Sequence, residues 1–534
     1  MKINLKLVCA LLATVIVWSF VFMFAWQPIE AVDDSDIAFI TLARTGTPQE
    51  VQNAINAGAN VNARDREGRT PLMRAAQWNN NLEVIALLIE SGADVNARDN
   101  IELTALIRAT QSNTNPEIIT LLIENGADVN ASDRDDWTAL MAAIAHNANP
   151  EIAALLVENG ADVNARDHKG RTPLFVSATS NLNPEIITML VKNGADVHAR
   201  NPIGITPLKS AAFGNTNPEI VITLIEHGAD VNSADDQGKT GLMAAASNSN
   251  PEVIATMIEH GANVNAQDSD GRTALMWAVW MNSDIRIITA LIENGANVNA
   301  KTQEGRTPLL GAIMFHENLE ITTILIEHGA DINASGENGV TPLMWIAGSN
   351  NNPEIITTLI EHGADVHATD QEGRTSLVWA AGRNSNPEII TTLIEHGADI
   401  HATDQEGRTA LLIAVLMDNN KVISTLIENG ADVNAADRND WTALMTAATH
   451  NSSPEIITVL VESGADVNAR DFWGRTALTF AAGNSNPEVA AALLEHGACP
   501  YAGAQPACPC IESPLTTGLR RLFRYVQELY ENTP

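Results

Sequence analysis

A glycine closes an apolar run every 33 or 34 residues: Gly58, Gly92, Gly126, Gly160, Gly194, Gly228, Gly261, Gly295, Gly329, Gly363, Gly397, Gly430, Gly464 and Gly497. A fixed period of this length dictates a stack of similar small units, each burying its apolar face only against its neighbours. A single globular core with one central cleft is excluded. Function must therefore be sought on an extended surface.

The 534 residues are 45% apolar but only 4% aromatic, so the layers must be filled mainly by Leu, Ile, Val and Ala. A formal charge of -34 repels phosphate backbones and argues against nucleic-acid binding. The chain starts with Lys2 and Lys6, then an apolar run from Leu7 to Trp26 broken only by Thr14 and Ser19. Such a segment directs export. It reads either as a signal peptide cleaved after Ala31 or as an anchor, since about 20 apolar residues span a bilayer. Glu30, Asp33, Asp34 and Asp36 follow it, which orients the N-terminus to the cytoplasm and the repeats outside, in the periplasm, at a membrane or secreted. The expected organisation is residues 1–31 as signal or anchor, 32–498 as the repeat array, and 499–534 as a cysteine-containing loop with a capping helix.

One repeat shows the local logic. Thr104 is placed to cap a short helix beginning at Ala105. After a polar break, Asn115-Pro116-Glu117 starts a second helix: Asn caps, Pro suits the first helical position, and Glu faces the positive helix end. Ile119, Leu122 and Ile123 share one face, and Gly126 ends the helix in a left-handed residue. A polar finger follows, as in residues 161–171, with Gly170 at a tight turn.

These residues resemble the ankyrin repeat. Its Thr-Pro-Leu stands at Thr70, Thr172, Thr206, Thr307 and Thr341, and its Gly-Ala-Asp-Val-Asn-Ala runs from Gly126 to Ala131. The resemblance spans almost the whole array. It implies an all-α solenoid of about fourteen helix-turn-helix units with finger loops, in which fingers and first helices line the concave, partner-binding side. Two departures stand out. The family's His after Thr-Pro-Leu is replaced by Met73, Phe175, Lys209, Leu310 and Met344, and the turn between helices is one residue longer, as in Asn113-Thr114-Asn115-Pro116.

Repeats in one chain face the same folding problem, so positions that vary among them are released from it. Bulky aromatics collect at such positions: Trp137 and Trp441 before the capping Thr, Phe472 and Trp473 at a finger tip, Trp78 and Trp280 after the first helix. Trp277, Trp345 and Trp379 share a first-helix column with Arg74, Arg108, Ser210 and Gly311. These nine aromatic residues are the expected partner-binding surface, centred on Trp277, Trp280, Trp345 and Trp379, because Trp is enriched at binding hot spots.

Other chemistry is weaker. His227, His260, His328, His362, His396 and His496 recur before the marker glycine. Equivalent atoms on stacked helices lie about 8–10 Å apart, too far to share a metal ion, so these histidines read as helix C-terminal residues. Fingers such as Asp133–Asp136 and Asp268–Gly271 lack the distal Glu of a calcium loop. Cys499, Cys508 and Cys510 favour a disulfide over a zinc site in an exported chain. Leu515, Leu519, Leu522, Phe523, Val526 and Leu529 mark the face of a terminal capping helix. No phosphate loop, nucleophile elbow or metalloprotease pair is present. The expectation is a non-catalytic, monomeric scaffold for a protein partner, with no cofactor and no metal. The competing expectation is a small-ligand or metal-ion binder using the acidic fingers and the cysteine tail.

Overall fold

A computed structural model describes residues 34–499, apart from 147–148, 181–182, 248–250, 282–283, 316–317, 350–351 and 451–452. The N-terminal export segment, Cys508, Cys510 and the capping helix lie outside the described residues. No helix among the described residues is long and apolar enough to cross a membrane.

The described residues form 28 α-helices and no strand, only three isolated bridges inside fingers. They fall into two compact units, divided along the chain between Asp236 and Gln237. The first unit holds the helix pairs from Asp34–Thr45 to Pro218–Glu226, the second those from Gly241–Ala245 to Pro487–Glu495. Within each unit first helices stack on first helices and second helices on second helices. Helices of eight or nine residues are too short to persist alone in water. Stacking supplies the stability, through the buried Leu106, Ile118, Ile119 and Leu122 and their equivalents in each repeat.

The ends form as their sequences dictate. Thr104 Oγ1 accepts from the Ile107 N–H at 3.3 Å, and Asn115 Oδ1 accepts from the Glu117 N–H at 3.0 Å. At the far end Gly126 has φ +85°, and its turn is closed by Gly126 N–H to Ile123 and Ala127 N–H to Leu122. The residue before that glycine does a second job. His260, His328, His362 and His396 donate through Nδ1 to the carbonyl four residues back at 2.8 Å. Asn125, Asn159 and Asn193 do the same through Nδ2. Both side chains supply a second donor to a last-turn carbonyl that already accepts the backbone N–H of the same residue, which accounts for their interchange.

Two asparagine ladders tie repeat to repeat. Asn299 Nδ2 donates to Gly329 at 2.9 Å and its Oδ1 accepts from the Asp331 N–H at 2.7 Å; Asn96, Asn130 and Asn434 repeat the pattern. The second ladder explains the lengthened inter-helix turn. Asn113 reaches back to Ala76, Asn215 to Ala178 and Asn384 to Ala347, each through Nδ2, while Oδ1 accepts a turn N–H two residues on. The longer turn therefore contributes a bond between repeats in an array without the family histidine. Lys209, at one of the replaced positions, forms a buried ion pair with Asp235 of the following finger. Replacing buried Asn384 with Ala leaves the Ala347 carbonyl unpaired and should cost about 1–3 kcal/mol. Hydrogen exchange in Pro342–Ser349 and Ser376–Arg383 reads it, and unchanged protection would deny the ladder a role.

Candidate functional site

The finger base fixes the surrounding face. In Asp370–Arg374 the Asp370 Oδ1 accepts the backbone N–H groups of Glu372 and Arg374, both at 2.9 Å, and Oδ2 accepts Arg374 Nε at 2.8 Å. The same turn is built on Asp65, Asp167, Asp404 and Asp471. Asp133 and Asp268 also accept two turn N–H groups each. These first carboxylates fold the finger, while Asp135 and Asp136 of the Asp133–Asp136 finger stay exposed and Asp270 pairs with Arg272. Successive fingers join by backbone bonds, for example Gln371 N–H to Asn338 and Gln405 N–H to Glu372, both at 2.9 Å. Gly68 and Gly170 need φ of +77° and +70° there, and an added Cβ would strike Asn100 or Pro202 of the next finger.

The variable helix column lies nine residues beyond the finger aspartate, and its side chains reach back to that residue. Trp379 Nε1 donates to Asp370 Oδ2 at 2.9 Å, Trp277 Nε1 to Asp268 Oδ2 at 3.1 Å, and Arg108 pairs with Asp99. A column holding Arg and Trp is thus a column of donors for one buried acceptor. Trp379 is 6% exposed, with Arg374 and Arg383 over its ring at 4.9 and 4.0 Å. Its expected place on the open surface is corrected: it is a core residue. Trp277 is part-buried beneath Lys239, 4.4 Å from its ring centre, and Arg272.

Most other aromatic candidates are also held by cations of the chain. Arg44 lies over the exposed Trp78, and Arg171 of the next finger over Trp137. Arg475 lies against Trp441, Trp473 and Phe480, and Trp441 packs on Phe480 with ring centres 4.3 Å apart. Phe472 and Trp473 stand exposed at their finger tip. Trp280 lies against Gly311, where an added Cβ would come within 1.7 Å of its Nε1, and pairs with Phe315 at 5.6 Å.

Trp345 differs. In its finger Gly336 replaces the aspartate and Val340 the arginine, and the turn is made by Asn338 and Gly339, both at positive φ. Among the described residues no acceptor meets the Trp345 indole N–H and no cation or ring covers it. It is part-exposed. Nearby in the stack Met281 is 61% and Phe315 51% exposed, at the ends of Ala274–Met281 and Pro308–Phe315. Sequence variation alone missed Met281 and Phe315, although both are the last residue of a first helix as Trp78 is.

Comparison with protein families matches ankyrin repeats (3 copies) over residues 16–99, 106–201, 166–235, 208–302, 281–370, 345–437 and 434–504, and ankyrin repeats (many copies) over 79–123. The chain is an ankyrin repeat protein. A search of curated proteins finds no match. Ankyrin repeats are general protein–protein interaction modules, typically non-enzymatic, and this array has the all-α repeat architecture of the family. Cys499 is disulfide-bonded, while the other tail cysteines lie outside the described residues.

Titration of the ankyrin finger gives a further expectation. Burial pushes the Asp370 carboxyl up, but N–H donors from Arg374, Trp379 and Glu372 outweigh it and hold the group below the usual carboxylate range. A folded pKa below the unfolded one stabilises fully above the unfolded value, about 4 for Asp, and loses that stability as pH falls through the folded value. Asp370→Asn should therefore flatten the acid limb of stability around Ser376–Arg383. An unchanged acid limb would contradict the assignment.

Proposed function

We propose that this ankyrin array is a non-catalytic scaffold that holds a partner protein on the first-helix ends of its second unit, around Met281, Phe315 and Trp345. The observation that carries the reading is the contrast within one column: Trp277 and Trp379 are engaged by their own fingers, whereas Trp345 is retained without either intrachain partner. Exposed Met281 and Phe315 extend the surface, and large apolar residues left open in this way mark interaction sites. The aromatic tip of Phe472 and Trp473 offers a separate contact.

A photo-crosslinking residue at Phe315 should capture the partner from native material, whereas one at the exposed Glu361, at the end of a second helix, should not. Equal capture at both sites would refute a face-specific scaffold. Calorimetry with calcium or zinc should show no stoichiometric binding to the array, since the first carboxylate of each finger, as at Asp268 and Asp370, is engaged in its turn. A saturable calcium site abolished by Asp268→Asn would favour the ion-binding reading. The exported location rests on the Lys2–Trp26 segment and the acids that follow it. N-terminal sequencing separates the cleaved form from the anchored one, and an intact chain free in the cytoplasm would refute both.

A further inference from the structure

We infer that the partner presents a cationic side chain, arginine or lysine beside an apolar residue, to the ring of Trp345; this rests on the scaffold reading above. Seven of the eight described tryptophans already carry a guanidinium or ammonium over the ring. Trp345 is the exception. The cation over Trp277 and Trp379 comes in part from the finger arginine, Arg272 or Arg374, and the carboxylate that fixes the indole comes from Asp268 or Asp370. In the Trp345 repeat those two residues are Val340 and Gly336. Both internal partners are replaced together while the indole is kept, which leaves an open site of the kind its neighbours fill from within.

The surroundings select a cation. A tryptophan face attracts Arg and Lys through its ring quadrupole, and more strongly when the pair is shielded from water. The fingers on either side carry exposed Glu304 and Glu372, the latter paired with Arg374; a Cβ added at Gly305 would lie 3.7 Å from Gly336, and the Gln371 N–H donates to Asn338. The whole chain carries -34, so its field draws basic segments toward it and repels acidic ones. Exposed Phe315 and Met281 supply the apolar contact that a purely ionic attraction lacks.

The test uses the full chain and two synthetic peptides of equal length and apolar content, one arginine-rich and one glutamate-rich. The arginine-rich peptide should bind, and Trp345→Ala should weaken it about tenfold, with Trp345→Phe retaining most of the affinity. Val340→Arg gives this finger the arginine its neighbours have. It should cover the ring from within and weaken the peptide about as much, with the helical spectrum unchanged. No binding by the arginine-rich peptide, equal binding by the glutamate-rich one, or affinity indifferent to both Trp345→Ala and Val340→Arg would overturn the inference. A native partner that crosslinks at Phe315 but lacks a basic segment would overturn it too, and leave the scaffold standing. Loss of face-specific crosslinking would instead remove the scaffold reading itself.

Discussion

Trp379→Ala should destabilise its repeat by about 3–5 kcal/mol, the usual cost of removing a large aromatic side chain from a packed interior. The ring is buried and lies between Arg374 and Arg383, with its N–H on Asp370. Truncation would open a cavity, strip one donor from a buried carboxylate and release two guanidiniums. Gly348 sits against the ring, where an added Cβ would lie 3.3 Å from Trp379 Cε3, so the neighbouring helix can close part of the gap. Unfolding of a repeat array is a sum of local terms, so the effect belongs in hydrogen exchange of Ser376–Arg383 and its neighbours. A loss below about 1 kcal/mol would place Trp379 outside the interior, since surface changes cost little.

Gly311→Val is the second large expectation. A Cβ at this position would overlap the Trp280 ring at 1.7 Å, and ring atoms cannot yield as a flexible chain end can. The indole must leave, and the overpacked step should lose about 1–3 kcal/mol. Its contact with Phe315, now 5.6 Å between ring centres, would go with it. Fluorine-labelled tryptophan spectra should then show the Trp280 resonance moving toward its solvent-exposed position while the Trp137 resonance stays. An unmoved Trp280 signal would mean that the helix, and not the ring, gives way.

The sequence was most legible where one residue type answers one local demand. The marker glycines, the Asn-Pro-Glu starts and the capping threonines each satisfy a backbone requirement visible in a few residues, and together they determine the helix pairs. The asparagine ladders were less legible: a residue that recurs in most repeats, giving way to His198, His367 and His401 in the finger, reads as fold without saying which bond it makes. The aromatic surface was legible only in part. Variation at the Trp277, Trp345 and Trp379 column said that no single residue is required there, and the structure shows why. The requirement falls on a set comprising the column residue, the finger aspartate nine positions earlier and the arginine between them. Trp379 has both partners and is interior, while Trp345 has neither. That signal was present as Gly336 and Val340, but it needed the fold to show that the three positions meet.

The claim that Trp345 serves a partner and not the fold is tested most directly by the affinity of the partner crosslinked at Phe315 for the full-length Trp345→Ala chain, with local stability followed on the same sample. The account predicts a loss of about 2 kcal/mol or more in binding, with protection of Pro342–Ser349 nearly unchanged. Unchanged affinity together with a local loss of about 3–5 kcal/mol, the cost of an emptied core site, would contradict it and make Trp345 a packing residue like Trp379.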